Sequence, residues 1–160
     1  MVKYEQNSKY LKILTVTAAI LGVIIYLFAV PYFGSMVAEY APEFSYCFWP
    51  WVIFIWITAI PVGRALFLCF MLATDLGCGR AFSLRSAKSL KGIADCAVID
   101  SALFLLGNIV YLLLGINHPS IFIFSLFICF IGLGIFIVGK TLSQLISEAH
   151  ELKSENESYI

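Results

Sequence analysis

Hydrophobic residues in this chain are gathered into long continuous runs, without the strict alternation with polar residues that marks a half-buried strand. Four runs approach or reach the length of about 20 residues that an α-helix needs to cross the hydrocarbon core of a bilayer. They cover residues 13–33, 48–73, 93–114 and 121–139. Continuous apolar runs of this length predict membrane-spanning helices and not barrel strands. We therefore expect an all-α, polytopic membrane protein in which residues 1–160 form a single four-helix bundle.

Composition strengthens this prediction. Hydrophobic residues make up 61% of the chain and charged residues 12%, against about 45–50% and 25% in soluble domains. These values exclude a water-soluble fold of this size and also a disordered chain, which needs low hydrophobicity and high net charge. The formal net charge is zero, so we expect no direct binding of nucleic acid driven by bulk charge. The first apolar run exceeds the roughly 7–15 residues of a signal-peptide core, and we expect it to stay attached.

Basic residues are concentrated on one side of the predicted spans. Nine of the ten flank the runs on that side, and the connections 34–47 and 115–120 on the other side carry none. The nine are Lys3, Lys9 and Lys12 ahead of the first run, Arg80, Arg85, Lys88 and Lys91 between the second and third, and Lys140 and Lys153 after the fourth. By the positive-inside rule, both termini, the loop 74–92 and the tail 140–160 are predicted to be cytoplasmic.

Three charged residues fall inside or at the edge of the apolar runs. Arg64 lies in the second run, and Asp95 and Asp100 lie near the start of the third. Arg64 and Asp100 are both expected roughly 10–12 Å inside the cytoplasmic boundary, which predicts an ion pair between adjacent helices. Asp95 is expected near the boundary, within reach of water or of Lys91 and Lys88. A structural lock between two helices is the favoured interpretation. A proton or ion pathway is the alternative, although such a relay normally strings several ionisable groups across the bilayer.

The loop 74–92 has the residue order of a helix start. Phe82 precedes Ser83 as a hydrophobic staple residue precedes an N-cap, and residues 84–92 then form a short basic amphipathic helix that leads into the third span. Its candidate contact residues, for anionic headgroups or for an acidic partner, are Arg80, Phe82, Arg85, Lys88 and Lys91. Contact with headgroups is the favoured interpretation.

The tail 140–160 has helical spacing of apolar residues on one face and mainly acidic residues on the other. We expect the fourth span to continue as one long helix into the cytoplasm. An acidic helix is repelled by an anionic leaflet, so its apolar face should pack against the loop helix, self-associate or bind a cytosolic protein. That face consists of Leu142, Leu145, Ile146, Ala149 and Leu152. Gly132, Gly134 and Gly139 thin the fourth span, mark a predicted helix contact face and would allow a homodimer.

Enzymatic signatures are absent from the sequence. It has no Ser/His/Asp grouping on one side of the membrane, no glycine-rich phosphate loop and no carboxylate cluster with metal spacing. The five cysteines include no C-x-x-C pair and fall in separate segments, which argues against a disulfide framework and a metal site. We therefore expect a non-enzymatic protein without cofactor or metal.

Two stretches resemble a known family. Residues 79–94 begin Gly-Arg-Ala-Phe-Ser-Leu-Arg, and residues 151–160 contain Leu-Lys, Glu-Asn and a final hydrophobic residue. Together with four spans, these motifs resemble the bacterial membrane family named domain of unknown function 2975. The triplet Glu-Ser-Tyr at 157–159 departs from the Asp/Glu-Leu-Thr more common there, which leaves the role of the last residues open. The resemblance implies a multi-pass protein of the bacterial plasma membrane without an established enzymatic activity.

Members of that family are commonly encoded beside a small cytosolic helix-turn-helix regulator. The resemblance therefore implies a membrane regulator that binds or sequesters such a transcription regulator, with the lipid bilayer as its other partner. Two alternatives stay open at this point. One is a small membrane transporter or channel, and the other is an immunity or stress protein that acts against membrane-active peptides.

Overall fold

The computed structural model describes the backbone of residues 2–40 and 42–158, and the side chains of residues 5–40, 42 and 45–155. Its elements are α1 (Val2–Ile24), a π-helical turn (Ile25–Ala29), α2 (Val30–Tyr40), a 3-10 helix (Pro42–Cys47), α3 (Phe48–Gly77), α4 (Leu84–Leu113) and α5 (Pro119–Ser158). No strand occurs in the described part of the chain. The all-α prediction is confirmed. The side chains of Lys3 and of residues 156–160 lie outside the described part of the chain.

Four helical stretches are long and apolar enough to cross a membrane. They are Glu5–Tyr40, Ser45–Gly77, Leu84–Leu113 and Pro119–Glu155. Three of the predicted runs lie entirely within a stretch, and the third exceeds its stretch by Leu114, the C-cap of α4. Each stretch is longer than its run because the helix continues into polar flanks. The loop helix at 84–92 is the first part of α4, so it is continuous with the third span.

The first spanning helix widens in its second half. The backbone N–H of Val30 bonds to the carbonyl of Ile25, five residues back, in the π-helical turn. The next residue, Pro31, has no N–H to donate to the carbonyl of Leu27 and crowds it, which favours a local break of the α-helical ladder. The helix then continues as α2 to Tyr40, beyond Phe33, where the apolar run ends.

Glycines end α3 and α4 in the same way. Gly79 and Gly115 have φ values of 72° and 71°, a left-handed conformation that other residues adopt at a cost. After α3, the N–H of Arg80 bonds to the carbonyl of Asp75 at 2.9 Å, and after α4 the N–H of Ile116 bonds to the carbonyl of Tyr111 at 3.0 Å. Both ends are Schellman motifs, which turn the chain back towards the helix it has just left.

Ser83 caps α4 as predicted. Its side chain accepts a hydrogen bond from the backbone N–H of Ser86 at 3.2 Å. Phe82, predicted to be a hydrophobic staple, has 63% of its surface exposed. Its role as a hydrophobic staple stays a prediction.

The helices pack in chain order as an open row. The first spanning helix packs on α3, α3 on α4, and α4 on α5. Within residues 2–40 and 42–158, no Cα atom of α1 or α2 lies within 8 Å of one in α4 or α5. The predicted bundle is therefore not closed. A lipid-facing apolar side chain loses little by contacting acyl chains instead of another helix, so no hydrophobic force closes the row.

Small and polar side chains fill many of the helix contacts, and most large apolar side chains face outwards, with Val52 and Phe54 among the buried exceptions. The largest fully buried side chains are Asn108, Asp75, Ser86 and Ser125. A Cβ atom added to Gly132 would overlap the hydroxyl of Ser101, whereas one added to Gly134 would meet no atom within 4 Å. Two of the three predicted contact glycines, Gly132 and Gly139, thus face α4 of the same chain.

Candidate functional site

Asp75 is the centre of a polar cluster at one end of the row. We call this end the basic end; it comprises the start of α1, the connection 78–83 and residues 140–158. The Asp75 side chain is 1% exposed. Arg80 Nη2 lies 3.1 Å from Asp75 Oδ1 and donates a hydrogen bond to it. Arg85 Nε lies 3.3 Å from Oδ2, a contact that is ionic because Oδ2 accepts no hydrogen bond from the described residues. One buried carboxylate therefore holds two guanidinium groups.

Local sequence brings these three residues together. The Schellman motif at Gly79 turns the chain so that Arg80 returns to Asp75, in the last turn of α3. Ser86 then ties the start of α4 to the same turn, since its hydroxyl donates to the carbonyl of Arg80 at 3.0 Å. The cap at Ser83 sets the direction of α4 and so aims Arg85 at the same carboxylate.

Three further hydrogen bonds connect this cluster to the outer helices of the row. Ser8 Oγ on α1 donates to the carbonyl of Ala73 at 2.6 Å. Ser143 Oγ on α5 donates to the carbonyl of Ala87 at 2.7 Å. The His150 Nδ1 atom on α5 lies 3.3 Å from the carbonyl oxygen of Phe82, and it donates when Nδ1 carries the proton. All four spanning helices are thus fastened to each other at the basic end.

Exposed charges of both signs surround the Asp75 cluster. The side chains of Arg80 and Arg85 are 57% and 59% exposed in spite of their contact with Asp75, and Lys88 is exposed on the same helix as Arg85. A polar groove of about 290 Å³ lies between α4 and α5 and carries the exposed acids Glu148 and Glu151 on its α5 side. Its other lining residues are Lys91, Lys140, Ser143, Gln144 and Ser147. The basic end therefore offers ionic contacts of both signs.

The sequence profile of the family described as "Protein of unknown function (DUF2975)" matches residues 34–160. The chain belongs to this family. The predicted resemblance is thereby confirmed, and the matched part includes Asp75, Arg80 and Arg85. The chain is also similar to the "Uncharacterized membrane protein YoaS" of Bacillus subtilis (strain 168), with 33% identity over 155 residues, which cover 96% of this chain and 97% of that protein. No solved structure matches. The protein is therefore a multi-pass membrane member of the DUF2975 family.

The predicted ion pair in the membrane is not formed. Neither Arg64 nor Asp100 has an ion-pair partner within 4.0 Å among the described residues, whereas Asp75 contacts Arg80 and Arg85. Arg64 is exposed on α3, whereas Asp100 is half-buried, with an Oδ1 atom that is enclosed and has no hydrogen-bond partner among the described residues. Asp95 is half-buried and forms no ion pair with Lys88 or Lys91 in that set. Equal depth along adjacent helices did not imply that the two side chains face one another.

The predicted apolar face of the tail contains both exposed and half-buried side chains. Leu142, Leu145 and Leu152 are 44%, 55% and 67% exposed, whereas Ile146 and Ala149 are half-buried. Ser143 bonds to the carbonyl of Ala87 on α4, and His150 lies against the carbonyl of Phe82 in the connection 78–83. The tail therefore packs on the loop helix, which was one of the expected alternatives. Its contact face is rotated from the predicted apolar face towards polar residues such as Ser143.

Asp75 was not among the site residues predicted from the sequence, although it is the most buried of the described acids at the basic end. The available signal was its place in the last turn of an apolar span, immediately before a glycine-rich turn that contains Arg80. An acid at that position requires a partner, because an unpaired carboxylate near the hydrocarbon core is costly.

Proposed function

We propose that this DUF2975 member is a non-enzymatic membrane regulator that binds a cytosolic helix-turn-helix transcription regulator at its basic end. The observation that carries the proposal is the charged surface of α4 and α5 beside the Asp75 cluster. The buried contacts of Asp75, Ser86 and Ser143 fix the helices that carry this surface, so less freedom is lost on binding than in a flexible loop. The family resemblance supplies the class of partner.

The length of α5 supports a docking role for its second half. The helix has 40 residues, about 60 Å at a rise of 1.5 Å per residue, whereas the hydrocarbon core is about 30 Å thick. Residues 121–139 contain no charged side chain, and charged residues begin at Lys140. We place the part from Lys140 onwards outside the core and, by the positive-inside rule, in the cytoplasm.

Charge complementarity favours a DNA-binding protein as the partner. A helix-turn-helix regulator presents basic side chains to the phosphates of DNA. Glu148 and Glu151 lie one turn apart on the exposed side of α5 and offer carboxylates to such a surface. Binding there would cover residues that DNA needs, so the membrane protein and DNA would compete for the regulator. Lys88 and Lys91 on α4 would contact acidic groups at the edge of the same partner.

Retention of the regulator by the purified membrane protein tests the proposal. The probe is a purified small helix-turn-helix regulator, the class of partner that the family resemblance implies, and it is passed over the immobilised full-length chain in detergent. We expect retention by the wild type and a loss of roughly tenfold in affinity for the double variant Glu148→Gln and Glu151→Gln, because rim charges set steering and specificity. Glu39→Gln is the matched control, since Glu39 is an exposed acid on α2 at the other end. No retention by the wild type, or equal retention by the double variant, would contradict the proposal.

A small transporter or channel is the second candidate, and Asp100 is the observation that favours it. Its Oδ1 atom is buried without a hydrogen-bond partner among the described residues, and an ionisable group inside a span commonly marks a pathway. This function requires water around Asp100. Cys96, one turn before Asp100 and 4% exposed, should then react with a hydrophilic thiol reagent in the folded protein. Protection of Cys96 excludes the pathway.

A further inference from the structure

A large apolar cavity lies at the end of the row opposite to the basic end. We call it the aromatic end; it contains the 3-10 helix, the start of α3 and the connection 114–118. The cavity has a volume of about 860 Å³, within the range of roughly 300–1,000 Å³ typical of ligand sites. Its walls come from the first spanning helix, the start of α3 and the connection 114–118, and none of its lining residues is Asp, Glu, Lys or Arg. We propose that it binds one acyl chain of a bilayer phospholipid.

The π-helical turn shapes one wall. Ile25 and Ala29, the first and last residues of that turn, both line the cavity. A π-helical turn displaces the following helix relative to a regular ladder, and such turns are frequent at functional sites. The Trp56 indole N–H donates to the carbonyl of Tyr26 within the turn at 2.8 Å, which provides a partner for a backbone group in the widened segment.

The opposite wall is held in place by hydrogen bonds and ring contacts. The Trp51 indole N–H donates to the carbonyl of Ile116 at 3.1 Å. Its ring makes edge contacts with Phe54 and Tyr111, at centroid distances of 5.9 and 5.2 Å. Asn117 Nδ2 donates to Asn108 Oδ1 at 2.9 Å. These contacts fasten the connection 114–118 to α3 and α4. The wall is therefore held in place and does not collapse into the cavity.

The open row explains why a lipid reaches the cavity. Within residues 2–40 and 42–158, the Cα atoms of α2 and α5 stay more than 8 Å apart, yet Phe33 of α2 and Ile121 of α5 both line the cavity. The gap between these two helices faces the bilayer, where acyl chains are the surrounding solvent. An empty apolar cavity loses dispersion contacts along its walls, and an alkyl chain restores them.

His118 provides a polar contact at the rim. The backbone N–H of Ser120 donates to His118 Nδ1 at 3.2 Å, so the neutral ring carries its proton on Nε2. His118 lines the cavity and is exposed. It lies between α4 and α5, at the end of two spans, the depth at which ester and phosphate oxygens of lipids occur. A bound phospholipid would place its chain among the apolar walls and an oxygen acceptor near His118 Nε2.

Native mass spectrometry of the full-length protein tests the proposal. The protein is released from detergent micelles that contain dioleoyl phosphatidylglycerol. We expect one lipid retained per chain. The double variant Ala29→Leu and Ala38→Leu fills the cavity and should weaken retention about tenfold, as expected for displacing a few methylene groups. Ala102→Leu is the matched control, because Ala102 is exposed on α4 and is not among the lining residues. Equal retention by all three proteins, or chains that pair through this face without lipid, would overturn the proposal.

Fluorescence quenching supplies a measurement that needs no cavity-filling variant. Trp49→Phe and Trp56→Phe leave Trp51, which lines the cavity, as the sole tryptophan of the three. Titration with phosphatidylglycerol carrying dibrominated chains should quench Trp51 to saturation at one lipid per chain. A protein that keeps only Trp49, which is 61% exposed, should show quenching proportional to the bromolipid fraction. Quenching of Trp51 without saturation contradicts a bound lipid.

Discussion

At the scale of single residues, the charge that organises the structure is Asp75 and not the predicted pair in the membrane. Asp75 is enclosed and contacts Arg80 and Arg85, whereas Arg64 and Asp100 remain apart. Depth in the membrane can be estimated from residue counts. The direction in which a side chain leaves its helix depends on how the helices pack, and small differences in rotation separate two residues of equal depth.

Asp75→Asn is expected to destabilise the protein. The amide keeps the shape of the carboxylate but loses its charge and turns an N–H₂ group towards two guanidinium donors. We expect a loss of about 1–3 kcal/mol, the usual cost when one partner of a buried polar contact is removed. The upper values for buried pairs do not apply, because both arginines are more than half exposed and regain water.

Thermal unfolding followed by size-exclusion chromatography in detergent measures this loss. Asp95→Asn is the control, since Asp95 is half-buried and forms no ion pair among the described residues. An unchanged midpoint for Asp75→Asn would show that the cluster does not hold the helices together.

At the scale of helices, small residues determine where the row is tight. Gly132 lies against Ser101 and Gly139 against Ala94, whereas Gly134 faces open space. Helices in lipid associate by close packing, so the faces with small residues make contact. The sequence identified the glycines of the fourth span as a contact face but did not separate those that face α4 from the one that does not.

Gly132→Ala and Gly134→Ala form a matched pair that tests this packing. The added methyl group at Gly132 overlaps the Ser101 hydroxyl and should cost about 1–3 kcal/mol, as in other overpacked interiors. The same change at Gly134 meets no atom within 4 Å and should leave stability unchanged. Folded yield and the unfolding midpoint in detergent report both effects. Equal destabilisation by the two variants, or none by either, would mean that α4 and α5 meet through another face.

At the scale of the whole molecule, hydrophobic run lengths predicted the four spans, because the bilayer demands about 20 apolar residues for each helix. The N-cap at Ser83 and the turns at the glycines can also be predicted from the sequence, since they depend on the local backbone conformation. The open row could not be predicted in this way, because an apolar side chain gains a similar free energy from contact with lipid and from contact with protein. The Asp75 cluster and the cavity at the aromatic end depend on residues far apart in sequence, and Trp51 with Ile116 is one such pair.

A soluble regulator can reach the charged surface of the basic end only when that end faces the cytoplasm. Sided labelling of intact cells with a membrane-impermeant maleimide measures this orientation. One protein keeps Cys78, exposed beside Gly79, as its only cysteine; the other carries Ser120→Cys, exposed at the aromatic end, in a cysteine-free chain. We expect intact cells to label Ser120→Cys at once and Cys78 only after permeabilisation. Labelling of Cys78 in intact cells, with Ser120→Cys protected, would show that the basic end faces outwards and that a cytosolic regulator does not bind there.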